Sequence, residues 1–116
     1  MVTPAQFKEL ALSLPEAAEG PHHNTGVFAF KVSKKVFATL NTNENRCCLK
    51  FSEIDQSVFC AFDSTVIYPV PNKWGKQGWT LINLANIKKE MLLDALTTAY
   101  CTVASPKLAQ QLIDKL

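Results

Sequence analysis

A chain of 116 residues is long enough for one domain with a single core and too short for two. With 47% hydrophobic and 19% charged residues it has the apolar content of a globular protein, which excludes disorder as the main state. The net charge of +2, from 12 Lys plus Arg against 10 Asp plus Glu, falls well short of the charge density of a protein built to live on nucleic acid.

Thr3-Pro4-Ala5-Gln6 starts the first helix: a Thr cap, Pro at the first helical position and Gln three residues after the cap. Phe7, Leu10, Ala11 and Leu14 recur at helical spacing and face a core, Lys8 and Glu9 stay in water, and Pro15 ends the helix. A polar stretch from Gly20 through Gly26 follows. Residues 27–32 and 36–41 read as strands rich in Val and Phe, joined into a hairpin by Ser33-Lys34-Lys35. Alternation puts Phe28, Phe30 and Val32 on one face, with Val36, Ala38 and Leu40 doing the same on the partner. A third strand, 46–51, comes after a polar turn. Residues 52–62 suit a short helix capped by Ser52 or Ser57, with Ile54, Val58 and Phe62 at helical spacing. Strands are expected at 65–70 and 78–84. Asn86 can cap a long helix to Val103 with Leu92, Ala95, Leu96, Ala99 and Val103 inward, and Ser105-Pro106 starts a last helix to Leu116. The order α-β-β-β-α-β-β-α-α describes a two-layer α+β fold, a five-stranded antiparallel sheet packed against helices, over one domain, 1–116.

No basic segment followed by an apolar run opens the chain, and no run of about 18 apolar residues occurs, so a cytoplasmic protein without membrane contact is expected. Cys47, Cys48, Cys60 and Cys101 have neither the spacing of a disulfide framework nor that of a zinc site, which predicts free thiols, no metal and no cofactor. His22 and His23 are the best bases available. Cys47 or Cys48 beside His22 would form a nucleophilic pair only if the first and third strands were neighbours, and a buried thiol with a surface His is the stronger expectation. Glu16 and Glu19 read as a solvated turn, and catalytic residues are expected to be absent.

The loop from Tyr68 to Trp79 stands out. Trp74 and Trp79 interleave with Lys73 and Lys76, a mixture that suits stacking on bases while ammonium groups meet phosphates, or rings that cover an open edge of the core. Charge is also uneven: residues 31–89 hold nine Lys plus Arg against four acids, a local +5, while 1–30 and 90–116 carry −2 and −1. A non-enzymatic domain that contacts nucleic acid weakly and with strong salt dependence follows as the first expectation. Its candidate contacts are Lys31, Lys34, Lys35, Lys50, Lys73, Trp74, Lys76 and Trp79. A protein-interaction or chaperone-like adaptor module, with a protein partner or a homodimer, is the alternative.

Leu14-Pro15-Glu16-Ala17 with Glu19, then Phe30 to Ala38, Leu49-Lys50, Tyr68-Pro69, Lys73 with Trp79-Thr80, and Ala99-Tyr100 together resemble the MmcQ/YjbR-like family. Lys34 stands where that family often has Gly in the hairpin. The resemblance implies a small cytosolic bacterial α+β domain of the CyaY-like or secretion-chaperone-like type, and the label of DNA binding through a "double wing". The acidic ridge that iron-binding frataxins carry on their first helix has no counterpart here.

Overall fold

In the computed structural model, which describes residues 1–21 and 26–114, the first helix begins where Thr3 can cap it. The Gln6 amide donates to Thr3 Oγ1 at 3.2 Å and the Thr3 amide donates to Gln6 Oε1 at 3.0 Å, a complete capping box ahead of Pro4. Helix α1 (Pro4–Leu12) stops earlier than Leu14, which is still buried beside Phe7 and Ala11. Then follow strands β1 (Ala18–Pro21), β2 (Val27–Val32), β3 (Lys35–Asn41) and β4 (Arg46–Lys50), helix α2 (Glu53–Cys60), β5 (Ile67–Pro69), the short helix α3 (Lys73–Lys76), β6 (Trp79–Asn83), α4 (Lys89–Val103) and α5 (Pro106–Asp114).

The antiparallel sheet has six strands in the order β1-β2-β3-β4-β6-β5, one more than expected. The added strand, β1, joins Ala18 and Glu19, the latter read as a solvated turn, to the first two residues of the polar stretch, with Ala18, Glu19 and Gly20 pairing with Lys31, Phe30 and Ala29. An edge strand of four residues needs no apolar alternation, because one neighbour supplies its hydrogen bonds; that is why the pattern hid it. With α3 added as well, the order is α-β-β-β-β-α-β-α-β-α-α. Both edge strands end in proline, β1 at Pro21 and β5 at Pro69.

Helices α1, α2, α4 and α5 form the layer on one face of the sheet. Phe30, Val32, Ala38, Leu40, Leu49 and Ile82 pack there against Phe7 and Ala11 of α1, Phe59 of α2, and Leu92, Ala95, Leu96, Ala99 and Tyr100 of α4. A β-bulge sharpens this division. Phe30 opposes Ala38 but Lys31 opposes Val36, which leaves Phe37 as the extra residue. Phe37 and Ala38 both turn inward, Phe37 meeting Tyr100 edge-on at 5.7 Å, and Val36 is thrown to the opposite face. The expectation that Val36 would share the inner face with Ala38 and Leu40 therefore fails by one residue of register. The β2–β3 turn is Ser33-Lys34 alone, with φ of 53° and 67°, the left-handed pair of a tight two-residue hairpin.

Two helices depart from their sequence pattern. Along α2 and in the turn that follows it, the apolar residues Ile54, Val58 and Phe62 are turned out to solvent, because the inner side of the helix is set by Phe59, stacked on Phe51 at 4.9 Å, and by Gln56, hydrogen-bonded across to β6. Ser52, not Ser57, is its cap, accepting from the Asp55 amide. Helix α4 begins at Lys89 with no side-chain cap, and Asn86 sits upstream in a turn where its amide donates to the Asn83 carbonyl.

Candidate functional site

Cross-strand pairing carries one set of side chains to the face that no helix covers. Lys31 opposes Val36, Thr39 opposes Cys48, Cys48 opposes Leu81, Leu81 opposes Tyr68, and Lys50 opposes Trp79. On this face lies a groove of about 350 Å³ lined by Val36, Thr39, Cys48, Val70, Trp74 and Trp79. Its floor is sheet and its far wall is the loop through α3, where Trp74 is half exposed.

Two glycines and one glutamine build that wall. At Gly75 a Cβ would lie 1.9 Å from the Val70 carbonyl oxygen, so α3 reaches the end of β5 only because no side chain intervenes. Gly78 has φ of +102° and would place a Cβ 1.8 Å from the Phe51 carbonyl oxygen. From the helix side, Gln56 Nε2 donates to the Gly75 carbonyl at 2.9 Å, to Thr80 Oγ1 at 3.1 Å and to the Trp79 carbonyl at 3.3 Å. Asn72 accepts from the Trp74 amide at 2.9 Å, and Lys50 Nζ donates to the Gln77 carbonyl. The Gly75, Gln77 and Trp79 carbonyls are thus bonded, which fixes the backbone that carries the two indole rings before any ligand arrives.

Cations gather at the rim. Lys50 Nζ lies 6.0 Å from the Trp79 ring centre and Lys73 Nζ 6.0 Å from that of Trp74, at the outer limit of a cation–π contact. Lys31 is exposed beside Val36. Arg46 shares the face but is paired with Glu44 at 2.5 Å. Within the groove the Cys48 thiol is pushed up to about 11, first by burial, with a backbone hydrogen bond at Thr80 and the Arg46 charge opposing, so it stays a neutral, weakly polar group.

The structure brings together Lys50, Lys73, Trp74 and Trp79, whereas the Lys31 side chain, on the same face, leans over Gly20 of β1, away from the groove. Lys34 and Lys35 stand at the hairpin tip next to Val36. Lys76 turns to the other side of α3, into a crevice with Glu53, Gln56 and Asn72, and does not join the groove. Lys88 and Lys89 open α4 in the helix layer. The nine central basic residues therefore form no single patch. Val36, Thr39, Cys48 and Val70 complete the site and were missed by sequence reasoning; outward alternation in β3 and β4 marks Thr39 and Cys48, whereas the bulge conceals Val36.

The histidines at 22 and 23 lie outside the described residues. Strands β2 and β4 are separated by β3, so the neighbouring-strand premise of a histidine–cysteine pair is wrong. Burial raises the Cys47 thiol well above its ordinary value, and Cys60 and Cys101 are raised by the same cause. Glu19 is not simply a solvated turn residue, being part of β1 and 3.7 Å from Lys8 Nζ. Among the described residues no group of three or more His, Cys, Asp and Glu could hold a metal ion, and no helix is long and apolar enough to cross a membrane.

A family model described as YjbR matches residues 12–102, a span that includes every residue lining the groove. No curated protein matches the chain. A crystal structure of the Deinococcus radiodurans protein DR2400, a domain of family DUF419, superposes with a TM-score of 0.77 at 19% identity, covering 97% of this chain and 88% of that one. At that identity the likeness is one of fold.

Proposed function

The chain belongs to the YjbR family, and we propose that it is a binding domain without catalytic chemistry whose open sheet face takes up nucleic acid, single-stranded DNA above duplex. The observation that carries this reading is the groove itself: two indole rings, each with a lysine beside it, arranged around an uncovered apolar floor. Bases stack on Trp74 and Trp79 while phosphates meet Lys50 and Lys73; Lys31 on the same face and Lys34 and Lys35 at the hairpin tip extend the track, and Lys76 acts only at a distance. Stacking needs unpaired bases, which is why a single strand suits the groove better than a duplex. The raised thiols support binding over nucleophilic catalysis, since the thiolate is the reactive form.

Titration of tryptophan fluorescence with an oligothymidine and with a duplex, at about 50 to 300 mM salt, tests the proposal. Single strands should bind the tighter, with log affinity falling by about 0.7 per phosphate contact for each decade of salt. Trp74→Ala should weaken binding about tenfold, as expected for a lost stacking partner. No binding at the lowest salt, or binding indifferent to Trp74→Ala and to Lys73→Ala with Lys76→Ala, overturns it. A second reading, a protein partner or another copy at the same face, is favoured by the scarcity of polar groups in the groove, where the Thr39 hydroxyl, the Cys48 thiol and the two indole N–H groups are the polar side-chain groups. Light scattering with and without the oligonucleotide separates the two: association that buries Trp74 and that oligonucleotide does not reverse favours the second reading, whereas dissociation on adding the strand favours the first.

A further inference from the structure

Most of the large apolar side chains left exposed fall in two places. One is Trp74, 50% exposed at the groove rim; the other is α2 with the turn after it, where Ile54, Val58 and Phe62 are 77%, 54% and 64% exposed. Spacing of four residues puts these three on one side of the helix, with Ala61 beside Val58 and Phe62. The flanking charges differ in sign. Glu53 and Asp55 occupy the first turn of α2 and Asp63 follows its end, so this stripe is apolar with acidic borders. The groove is apolar with Lys50 and Lys73 at its rim. Helix α2 belongs to the helix layer and the groove to the opposite face of the sheet, so one molecule carries both halves of a match and cannot close them on itself.

We propose that α2 of one copy docks on the open sheet face of a second copy. Phe62 enters among Val36, Val70, Trp74 and Trp79, Val58 lies along the rim, and Glu53 and Asp55 meet the rim lysines. Volume permits it: a cavity of about 150 Å³ accepts a benzene ring, and the groove is about 350 Å³. Donor and acceptor patches are different surfaces, so the contact is heterologous: copies stack head to tail, each stack ending in a free α2 and a free groove. One helix of eight residues covers less area than the roughly 1,000 Å² of a stable interface, so the stacks are short, transient and favoured by high concentration. The contact needs no nucleic acid, and a strand bound in the groove competes with it.

Sedimentation velocity on the nucleic-acid-free protein, from about 10 μM to 1 mM at low salt and again at about 0.5 M salt, tests this. The weight-average mass should climb with concentration at low salt and fall back at high salt. Phe62→Lys and Trp74→Glu should each be monomeric, both sites being exposed and their melting curves showing the fold intact. Their equimolar mixture should form a dimer and stop there, because one supplies only α2 and the other only the groove. A monomer at every concentration, association that survives Trp74→Glu, or a mixture that stays monomeric overturns the proposal. Phe62→Lys keeps its groove, so oligonucleotide titration of that variant judges the nucleic-acid reading separately.

Discussion

Gln56→Glu exchanges one NH₂ for an oxygen at almost constant shape, and the wall of the groove should feel it. Nε2 faces three acceptors at 2.9, 3.1 and 3.3 Å, the Gly75 carbonyl, Thr80 Oγ1 and the Trp79 carbonyl. An amide nitrogen has only two hydrogens, so two good bonds are lost, each worth about 1 kcal/mol net. A half-buried carboxylate facing carbonyl oxygens adds its own cost, partly offset if the Thr80 hydroxyl turns from the Gly78 carbonyl, which it now meets at 3.0 Å, to the new oxygen. The sum is a loss of about 2 to 3 kcal/mol at neutral pH. The same repulsion holds the introduced carboxyl above its unfolded value of about 4.3. Folded protein then binds the proton more readily than unfolded chain, so the deficit is full above the folded-state pKa and shrinks as pH falls through it. Urea unfolding followed by tryptophan fluorescence, variant minus wild type at about pH 7.5 and pH 5, reads both effects and cancels titrations common to the two proteins. A deficit under about 0.5 kcal/mol at the higher pH, or one that grows on acidification, would refute the reasoning.

Gly78→Ala combines a left-handed backbone with a Cβ 1.8 Å from the Phe51 carbonyl oxygen, and should cost about 3 kcal/mol or more in urea unfolding; under about 1 kcal/mol would mean the loop yields freely. Lys34→Gly relieves a φ of 67° in the hairpin and should stabilise by about 1 kcal/mol, read as a rise of roughly 4–8 °C in Tm, with no rise counting against the strain. Tyr100→Phe removes the hydroxyl that donates to the Pro15 carbonyl at 2.7 Å, tying α4 to the turn after α1, and should lower stability by about 1 kcal/mol in thermal melts. With its thiol near 11, Cys48 is about one part in a thousand thiolate at pH 8. Iodoacetamide labelling followed by mass spectrometry should therefore be slow and rise about tenfold per pH unit; labelling as fast as an unstructured thiol would contradict it.

Strong local signals survived folding intact. The Thr3–Gln6 capping box, the inward row of α4 and the antiparallel pairing of the Val-rich and Phe-rich strands all follow from rules that act over a few residues. What stayed hidden depends on partners distant in the chain. Nothing in residues 54, 58 and 62 reveals that Gln56 and Phe59 own the inner side of α2, because their partners are Thr80 and Phe51. The outward placement of Val36 turns on one bulge opposite Phe30, and β1 forms because β2 offers it an edge. The aromatic and basic character of the 68–79 loop was legible; the segregation of Lys76 from its neighbours was not, since a helix of four residues sets Lys73 and Lys76 toward different surroundings.

The two prolines that end β1 and β5 also limit how copies can add to one another. Proline has no amide hydrogen to offer an incoming strand, and both edges are short, four and three residues. Lateral growth of the sheet into a ribbon is discouraged along the hydrogen-bonding direction, which leaves the direction perpendicular to the sheet. Any assembly of this protein is thereby steered toward side-chain contacts that salt and concentration can undo, and away from the backbone ladders that make fibrils permanent.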